Sequence, residues 1–333
     1  MTYIFDCNMA SASTVVEAIC LVLVFIGALF GNVMLFYLIP NARKLRTKGN
    51  VFILNLAAAD LLVAVINLPI TIVTVIAGDW ILGRTVCLLS GFMTLLTFVA
   101  SCMALSMISI NRFHAIVHWT SYENTYTKRK CALYVCITWC ITILLSIPPF
   151  FGWAEFEYDP GQSYCFAEWT ASKSYTIFMI AACLLGPLSI MSYCYVKIIR
   201  FHRESGRDVI RATVSTTAAT LSITPPELES RPRKKRLTRT IVTLIVVFGL
   251  CWSPFAIIMI IQVFSSVHVP RAVDFGSLVL GYLNSFFNVI VYNVTNRKIR
   301  KEYKTLLCKI FKPKIHGYVE RSQSVSASTG KYI

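Results

Sequence analysis

The chain has 333 residues, 56% of them hydrophobic and 14% charged, with a mean hydropathy of +0.63, a balance that excludes an ordinary soluble domain and defines an integral membrane protein. Its formal net charge of +16 does not call for nucleic acid, because the basic residues gather in a few connecting segments, where they suit anionic lipid heads and an acidic protein partner. No Ser/His/Asp constellation, phosphate loop or paired CxxC motif occurs, so no enzymatic activity is expected.

Apolar windows of about 20 residues or more, each long enough to cross a ~30 Å hydrocarbon core, lie near 15 to 39, 50 to 77, 87 to 118, 131 to 151, 174 to 198, 240 to 264 and 273 to 293. The pattern predicts an all-α membrane fold: a seven-transmembrane helix bundle followed by an amphipathic eighth helix. Residues 1 to 14 are expected outside, 15 to 310 to form the bundle with its juxtamembrane helix, and 311 to 333 to be a disordered cytoplasmic tail. The first segment lacks a basic region and a clear cleavage site, so span 1 reads as an uncleaved signal anchor. Of the 32 basic residues, only Arg84, Lys173 and Arg271 fall outside the segments that would be cytoplasmic with the N-terminus outside. The positive-inside rule therefore predicts that orientation.

In chain order, span 1 carries Gly31-Asn32 and is followed by the basic run NARKLRTK at 41 to 48. Span 2 holds Asn55 and Asp60 in LNLAAADLL, placing an amide and a carboxylate inside the membrane, where a carboxylate is costly and marks function. Span 3 runs from Cys87 to Asn111-Arg112-Phe113 and His118. About 25 helical steps separate Cys87 from Arg112, roughly 37 Å at ~1.5 Å each, so the two ends face different compartments. Span 4 contains Trp139 and is expected to end at Pro148-Pro149-Phe150; Asp159, Cys165, Phe166 and Glu168 follow in an outer loop. Span 5 carries Pro187 and Tyr195, and residues 213 to 226 read as disordered before a basic helix begins near 231. Span 6 bears Cys251-Trp252-Ser253-Pro254, a proline expected to kink it. Span 7 carries Tyr282, Asn284, Asn288 and Tyr292. The run RKIRKEYKTLLC at 297 to 308 has Ile299, Tyr303, Leu306 and Leu307 at helical spacing and predicts a helix along the inner leaflet, with Cys308 a candidate for palmitoylation.

Counting residues inward from the span ends puts Asp60, Ser101 and Asn284 all roughly 15 Å deep at ~1.5 Å per residue, with Asn288 one turn lower. Two readings fit this layer: a site for a hard monovalent cation such as sodium, or a hydrogen-bond network that holds the helices together. Arg112 likewise reads either as a snorkelling side chain or as a switch around which Tyr195 and Tyr292 rearrange when span 6 swings outward. Among the twelve cysteines, only Cys7, Cys87 and Cys165 are expected outside, and Cys87 with Cys165 is the best pair, leaving Cys7 over. His114 and His118 stand at i, i+4 but lack a third ligand, so no metal is expected.

Together, Gly31-Asn32, LAAAD, Cys87 with Arg112, Trp139, Cys165, Pro187 with Tyr195, Cys251-Trp252-Ser253-Pro254 and Asn288 with Tyr292 resemble the rhodopsin-like G-protein-coupled receptors over about residues 15 to 310. Within that family the likeness is greatest to the melatonin receptors, on KLRTKGNVFILNLAAADLL, Ser90-Gly91-Phe92, Tyr158-Asp159-Pro160, Ser174-Tyr175-Thr176-Ile177 and Tyr282-Leu283-Asn284-Ser285. Asn111 before the arginine and Val289 after Asn288 depart from the commoner family pattern as those receptors do, while Phe113 replaces an expected tyrosine.

The resemblance implies a plasma-membrane receptor that binds an extracellular small molecule and activates a heterotrimeric G protein of the inhibitory class, with arrestin and a receptor kinase as further partners. It assigns Thr94, Phe166, Glu168, Trp252 and Tyr282 to the ligand pocket. It assigns Asn111, Arg112, Phe113, Tyr195, Trp252, Pro254, Asn288 and Tyr292 to coupling and activation. Two departures argue against melatonin itself: Pro149 stands where those receptors place an asparagine, and Glu168 stands near an expected glutamine. Pro148 to Trp153 looks opsin-like, yet span 7 has no lysine for retinal, so no cofactor is expected and Tyr282 takes that place. The remaining alternatives are a photosensor lacking that lysine and a seven-span carrier, for which an internal repeat would be needed.

Overall fold

A computed structural model describes the backbone of residues 2–215, 225–265, 267 and 269–311, and side chains over 12–204, 239–240, 242–265, 267 and 269–310. Seven described helices are long and apolar enough to cross a membrane: Ala12–Asn41, Lys48–Ala77, Gly83–Val117, Lys128–Ser146, Lys173–Glu204, Val242–Phe264 and Arg271–Thr295. Apolar side chains such as Leu23, Leu144 and Leu250 remain exposed along these helices, as expected where the neighbour is lipid and only backbone groups must be satisfied within the segment. Helix α1 (Thr2–Asn41) carries residues 2 to 14 as an extension of span 1; the side chain of Cys7 lies outside the described residues.

Span 2 comprises α2 (Lys48–Leu62), a π turn at Val63–Asn67 and α3 (Leu68–Ala77). Span 3 is α4 (Gly83–Val117), and it packs against α2, against α6 (Lys128–Ser146, span 4), and against the helices of spans 5 and 6. Span 5 is α7 (Lys173–Met179), a π turn at Ile180–Leu185, and α8 (Gly186–Ser215). The two π turns share a cause. Each lies just before a proline, Pro69 or Pro187, which has no N–H to continue the ladder, so the widened turn absorbs the missing bond. Span 6 lies within α9 (Pro225–Phe264), which continues helically through the half-buried Pro254. Span 7 is α10 (Arg271–Thr295), and α11 (Arg297–Phe311) follows it.

Two expectations change. Span 4 stops at Ser146 rather than 151, because Pro148-Pro149 open a 3-10 turn (Pro148–Phe151) that Gly152 ends at φ 82. Residues 213 to 215 finish α8 and Pro225-Pro226 open α9, so these parts are helical rather than disordered; prolines fit a first turn, whose N–H groups have no partner anyway. Residues 216 to 224 and the tail from 312 lie outside the described residues. The outer loop carries a hairpin: β1 (Phe156–Asp159) pairs antiparallel with β2 (Tyr164–Ala167), Tyr158 opposite Cys165.

The hairpin lies over one end of the bundle. Cys165 is disulfide-bonded to Cys87 of α4 across 78 residues of chain, and all four residues of β2 are buried. Close approach is possible because α4 carries Gly91 there; a Cβ at that position would stand 2.9 Å from Phe156. At the opposite end, α11 docks by burying Ile299 and Tyr303, whose hydroxyl donates to the Gly31 carbonyl.

Candidate ligand and coupling site

Beneath β2 lies a small inner cavity of ≈ 20 Å³ bounded by Thr94, Phe166, Trp252 and Tyr282, together with Ser101 and Asn284. Thr94 sends its hydroxyl to the Ser90 carbonyl at 2.8 Å, and Tyr282 shares a hydrogen with Thr71 at 3.1 Å. Trp252 packs on Phe98 with ring centroids 4.7 Å apart. Gly281 lets the indole rest on span 7, since a Cβ there would meet its ring at 3.0 Å. Four of the five residues expected in the pocket therefore surround one cavity. Glu168 does not. It lies above Phe166 on a separate outer cavity of ≈ 280 Å³ between the hairpin and span 6, and its carboxylate accepts from the Thr170 N–H at 3.1 Å and from the Thr170 hydroxyl. Pro149 is buried in the 3-10 turn and lines neither cavity.

Toward the other end, Asp60 is fully buried and accepts from Asn288 Nδ2 at 3.0 Å. Asp60 Oδ1, Asn284 Oδ1 and Asn288 Oδ1 are buried without a protein hydrogen-bond partner. All three are acceptors, so what this layer lacks is donors or positive charge. Span 2 is also tied to span 4 by Trp139 Nε1 donating to Asn55 Oδ1 at 2.8 Å.

Below the layer, Tyr292 is buried within electrostatic reach of both Asp60 and Arg112, its hydroxyl without a hydrogen-bond partner. The Arg112 guanidinium covers Gly49 at the start of span 2, where an added Cβ would stand 2.7 Å from Nη1. Its neighbour Asn111 is buried and donates to the Tyr122 hydroxyl at 3.2 Å, which ties α4 to the short helix α5 (Trp119–Thr125); Lys48 is ion-paired to Glu123 of the same helix. Phe113 meets His118 and Tyr193 edge-to-face, with ring centroids 5.1 Å and 6.0 Å away. Tyr195 is half-buried on α8. Cys308 is exposed on α11 beside Arg300, Lys301 and Lys304. Among the described residues, no group of three or more His, Cys, Asp or Glu side chains is arranged to hold a metal.

Sequence reasoning missed Gly49, Tyr164, Gln162 and Asp274. Buried Asp274 of span 7 accepts from Gln162 of the hairpin turn and, at 3.2 Å, from Gln262 of span 6. Asp159 in β1 accepts from the Gly161 N–H at 2.8 Å. Burial, then the neighbouring Asp274 charge, raises the Asp159 carboxyl above the usual range, against the pull of backbone donors at Gly161 and Gln162. No local signal marks these partners, because they meet only when the hairpin folds over the bundle.

A seven-helix bundle capped by a disulfide-tethered hairpin, with a polar layer at mid-depth and an arginine at the far mouth, has the architecture of a membrane receptor. The sequence model described as "7 transmembrane receptor (rhodopsin family)" matches residues 31–292. The chain belongs to that family and is a receptor, not an enzyme. Within the family it is similar to melatonin receptors. It is 32% identical to melatonin receptor type 1B of Mus musculus over 285 residues, covering 84% of this chain and 74% of that one. It is 28% identical to melatonin receptor type 1C of Xenopus laevis over 320 residues, covering 93% and 72%. The crystal structure of squid rhodopsin superposes with a TM-score of 0.79 at 20% identity, covering 97% of this chain and 92% of that one, which speaks for the fold.

Proposed function

We propose that this chain is a plasma-membrane receptor, N-terminus outside and C-terminus cytoplasmic, that converts binding of an extracellular small molecule into activation of a heterotrimeric G protein of the inhibitory class. The observation that carries this reading is the line of side chains from the inner cavity to the opposite mouth: half-buried Trp252 and buried Asn284 on the cavity, buried Asp60 and Asn288 beneath them, then buried Tyr292 and half-buried Arg112. A ligand against Trp252 can bias this line, and a displaced span 6 frees Arg112 for a partner. Asn111, Phe113, Tyr195 and Pro254 serve the same switch. Asp60, Ser101, Asn284 and Asn288 hold a sodium ion with water, which the unpartnered oxygens of Asp60, Asn284 and Asn288 suit. The likeness to melatonin receptors supports the inhibitory class. Ligand is held without a covalent cofactor, since Tyr282 pairs with Thr71 and span 7 has no lysine.

Arrestin and a receptor kinase would use the same cytoplasmic mouth. The basic face of α11 would rest on anionic lipid, with Cys308 available for palmitoylation. The test is Arg112→Ala in the full chain: ligand binding is expected to persist while nucleotide exchange is lost. Unaltered exchange would return Arg112 to a snorkelling side chain.

A further inference from the structure

The outer cavity is chemically unlike the inner one. Among the described residues three carboxylates line it, Glu157, Asp159 and Glu168, and no lysine, arginine or histidine does. Glu157 is neutralised by Arg84 at 2.7 Å. Asp159 and Glu168 enter none of the ion pairs formed among the described residues, and Arg271, at the nearby loop junction, is engaged by Glu17 at 3.0 Å and Ser163 at 2.8 Å. Asp274 stands close behind Asp159: their carboxylates converge on Gly161, where an added Cβ would lie 2.8 Å from one and 3.0 Å from the other.

A second observation is independent of these acids. Gln162, 3% exposed, faces the cavity and commits its amide nitrogen to Asp274, which leaves its Oε1 buried without a donor. A buried acceptor in that state is costly, and it calls for a hydrogen-bond donor from the cavity. The walls add a surface for a flat cation. Phe166 packs on Trp169 at 5.3 Å and on Phe255 at 5.9 Å, and aromatic faces attract ammonium groups. At ≈ 280 Å³ the cavity stands at the lower edge of the ~300–1,000 Å³ range of small-molecule sites.

We propose that this outer cavity is a binding site for a protonated arylalkylamine, its ammonium group held by Asp159, Glu168 and Gln162 Oε1 and its ring laid on Phe166 and Trp169. The inference deepens the receptor reading and rests on it for the cavity's extracellular position. Tyr164 and Phe166 also bound the inner cavity, so a bound amine presses on side chains that the two chambers share.

The experiment is ligand-observed NMR titration of the purified full-length chain in lipid nanodiscs with tryptamine and with N-acetyltryptamine, which keeps the indole and removes the charge. Tryptamine is expected to bind ~10-fold or more tightly than the neutral probe, and Glu168→Gln or Asp159→Asn to cost it ~10-fold or more each. Glu168→Gln is a change at a half-buried loop position, and an unchanged thermal midpoint would show that it folds. Equal binding of the two probes, or tryptamine binding indifferent to both substitutions, overturns the proposal. Nucleotide exchange measured in parallel keeps the two readings apart. Amine binding through these carboxylates without exchange on any G protein would overturn the coupling reading alone, whereas exchange driven by the neutral probe, with tryptamine binding indifferent to both substitutions, would overturn this one alone.

Discussion

Asp60→Asn is the substitution whose outcome the polar layer fixes most closely. The wild-type carboxylate is fully buried with Asn288 donating to one oxygen, while its other oxygen and those of Asn284 and Asn288 have no protein donor. A sodium ion bound there, as proposed, would satisfy all of them at once. A cation present at ten times its dissociation constant stabilises the folded protein by RT ln 11, about 1.4 kcal/mol, and at a hundred times by about 2.7 kcal/mol. The asparagine variant has no charge to attract the ion, and its new N–H₂ can donate to a neighbouring amide oxygen. The assay is thermal unfolding of the purified chain in sodium chloride against choline chloride at equal ionic strength, which needs no agonist. The wild type is expected to gain a few degrees in sodium and the variant none. A variant that keeps the wild-type sodium shift, or a wild type with none, would refute the ion reading and leave a hydrogen-bond network.

Cys87→Ser, Cys165→Ser and the double variant are expected to lose the same stability, on the order of 2–4 kcal/mol, because one bond is removed in every case; additive losses in thermal midpoint would contradict the pairing's energetic role. Trp139→Phe strands Asn55 Oδ1 and should cost about 1–3 kcal/mol, with part of that recovered when Asn55→Leu is added; denaturation curves of the single and double variants decide it. Burial and Asp274 raise the Asp159 carboxyl, so the folded state binds that proton more readily than the unfolded chain does. Its contribution is present at low pH and lost as pH rises through the folded value, with Asp274, Glu168 and Tyr158 facing the same group. Asp159→Asn keeps the acceptor for Gly161 and should raise the thermal midpoint at neutral pH while flattening its decline with pH; a lowered midpoint would count against the burial argument. Melatonin, a neutral amide, is expected to bind weakly and Glu168→Gln, on the outer cavity, to improve it; nanomolar radioligand affinity in the wild type would contradict this.

The spans could be read from sequence because a bilayer demands about 20 apolar residues per crossing and leaves few alternatives to helix. Counting residues along the spans also put Asp60 and Asn288 near one level, and the two are in fact hydrogen-bonded at 3.0 Å. What sequence could not give is whatever depends on two distant segments meeting. Gly49, Gly91 and Gly281 are ordinary glycines until Arg112, Phe156 and Trp252 lie on them. Gln162 and Asp274 are 112 residues apart and carry no shared local pattern. Glu168 was grouped with Thr94 and Tyr282 because all three belong to the same end of the bundle, yet Phe166 stands between the two cavities they line. The end of span 4 was misplaced because hydropathy continues past Ser146 into Phe150 and Phe151, while proline geometry stops the helix.

The most direct test of the receptor account is guanine-nucleotide exchange on a panel of purified heterotrimeric G proteins by the full chain in lipid nanodiscs, screened against indoles, amines, lipids and retinoids, with Arg112→Ala alongside. The account predicts that at least one small molecule drives exchange on the inhibitory class and that Arg112→Ala abolishes it while still binding that molecule. Ligand binding by the wild type with no exchange on any class, or a ligand-evoked ion current or uptake in its place, would contradict it.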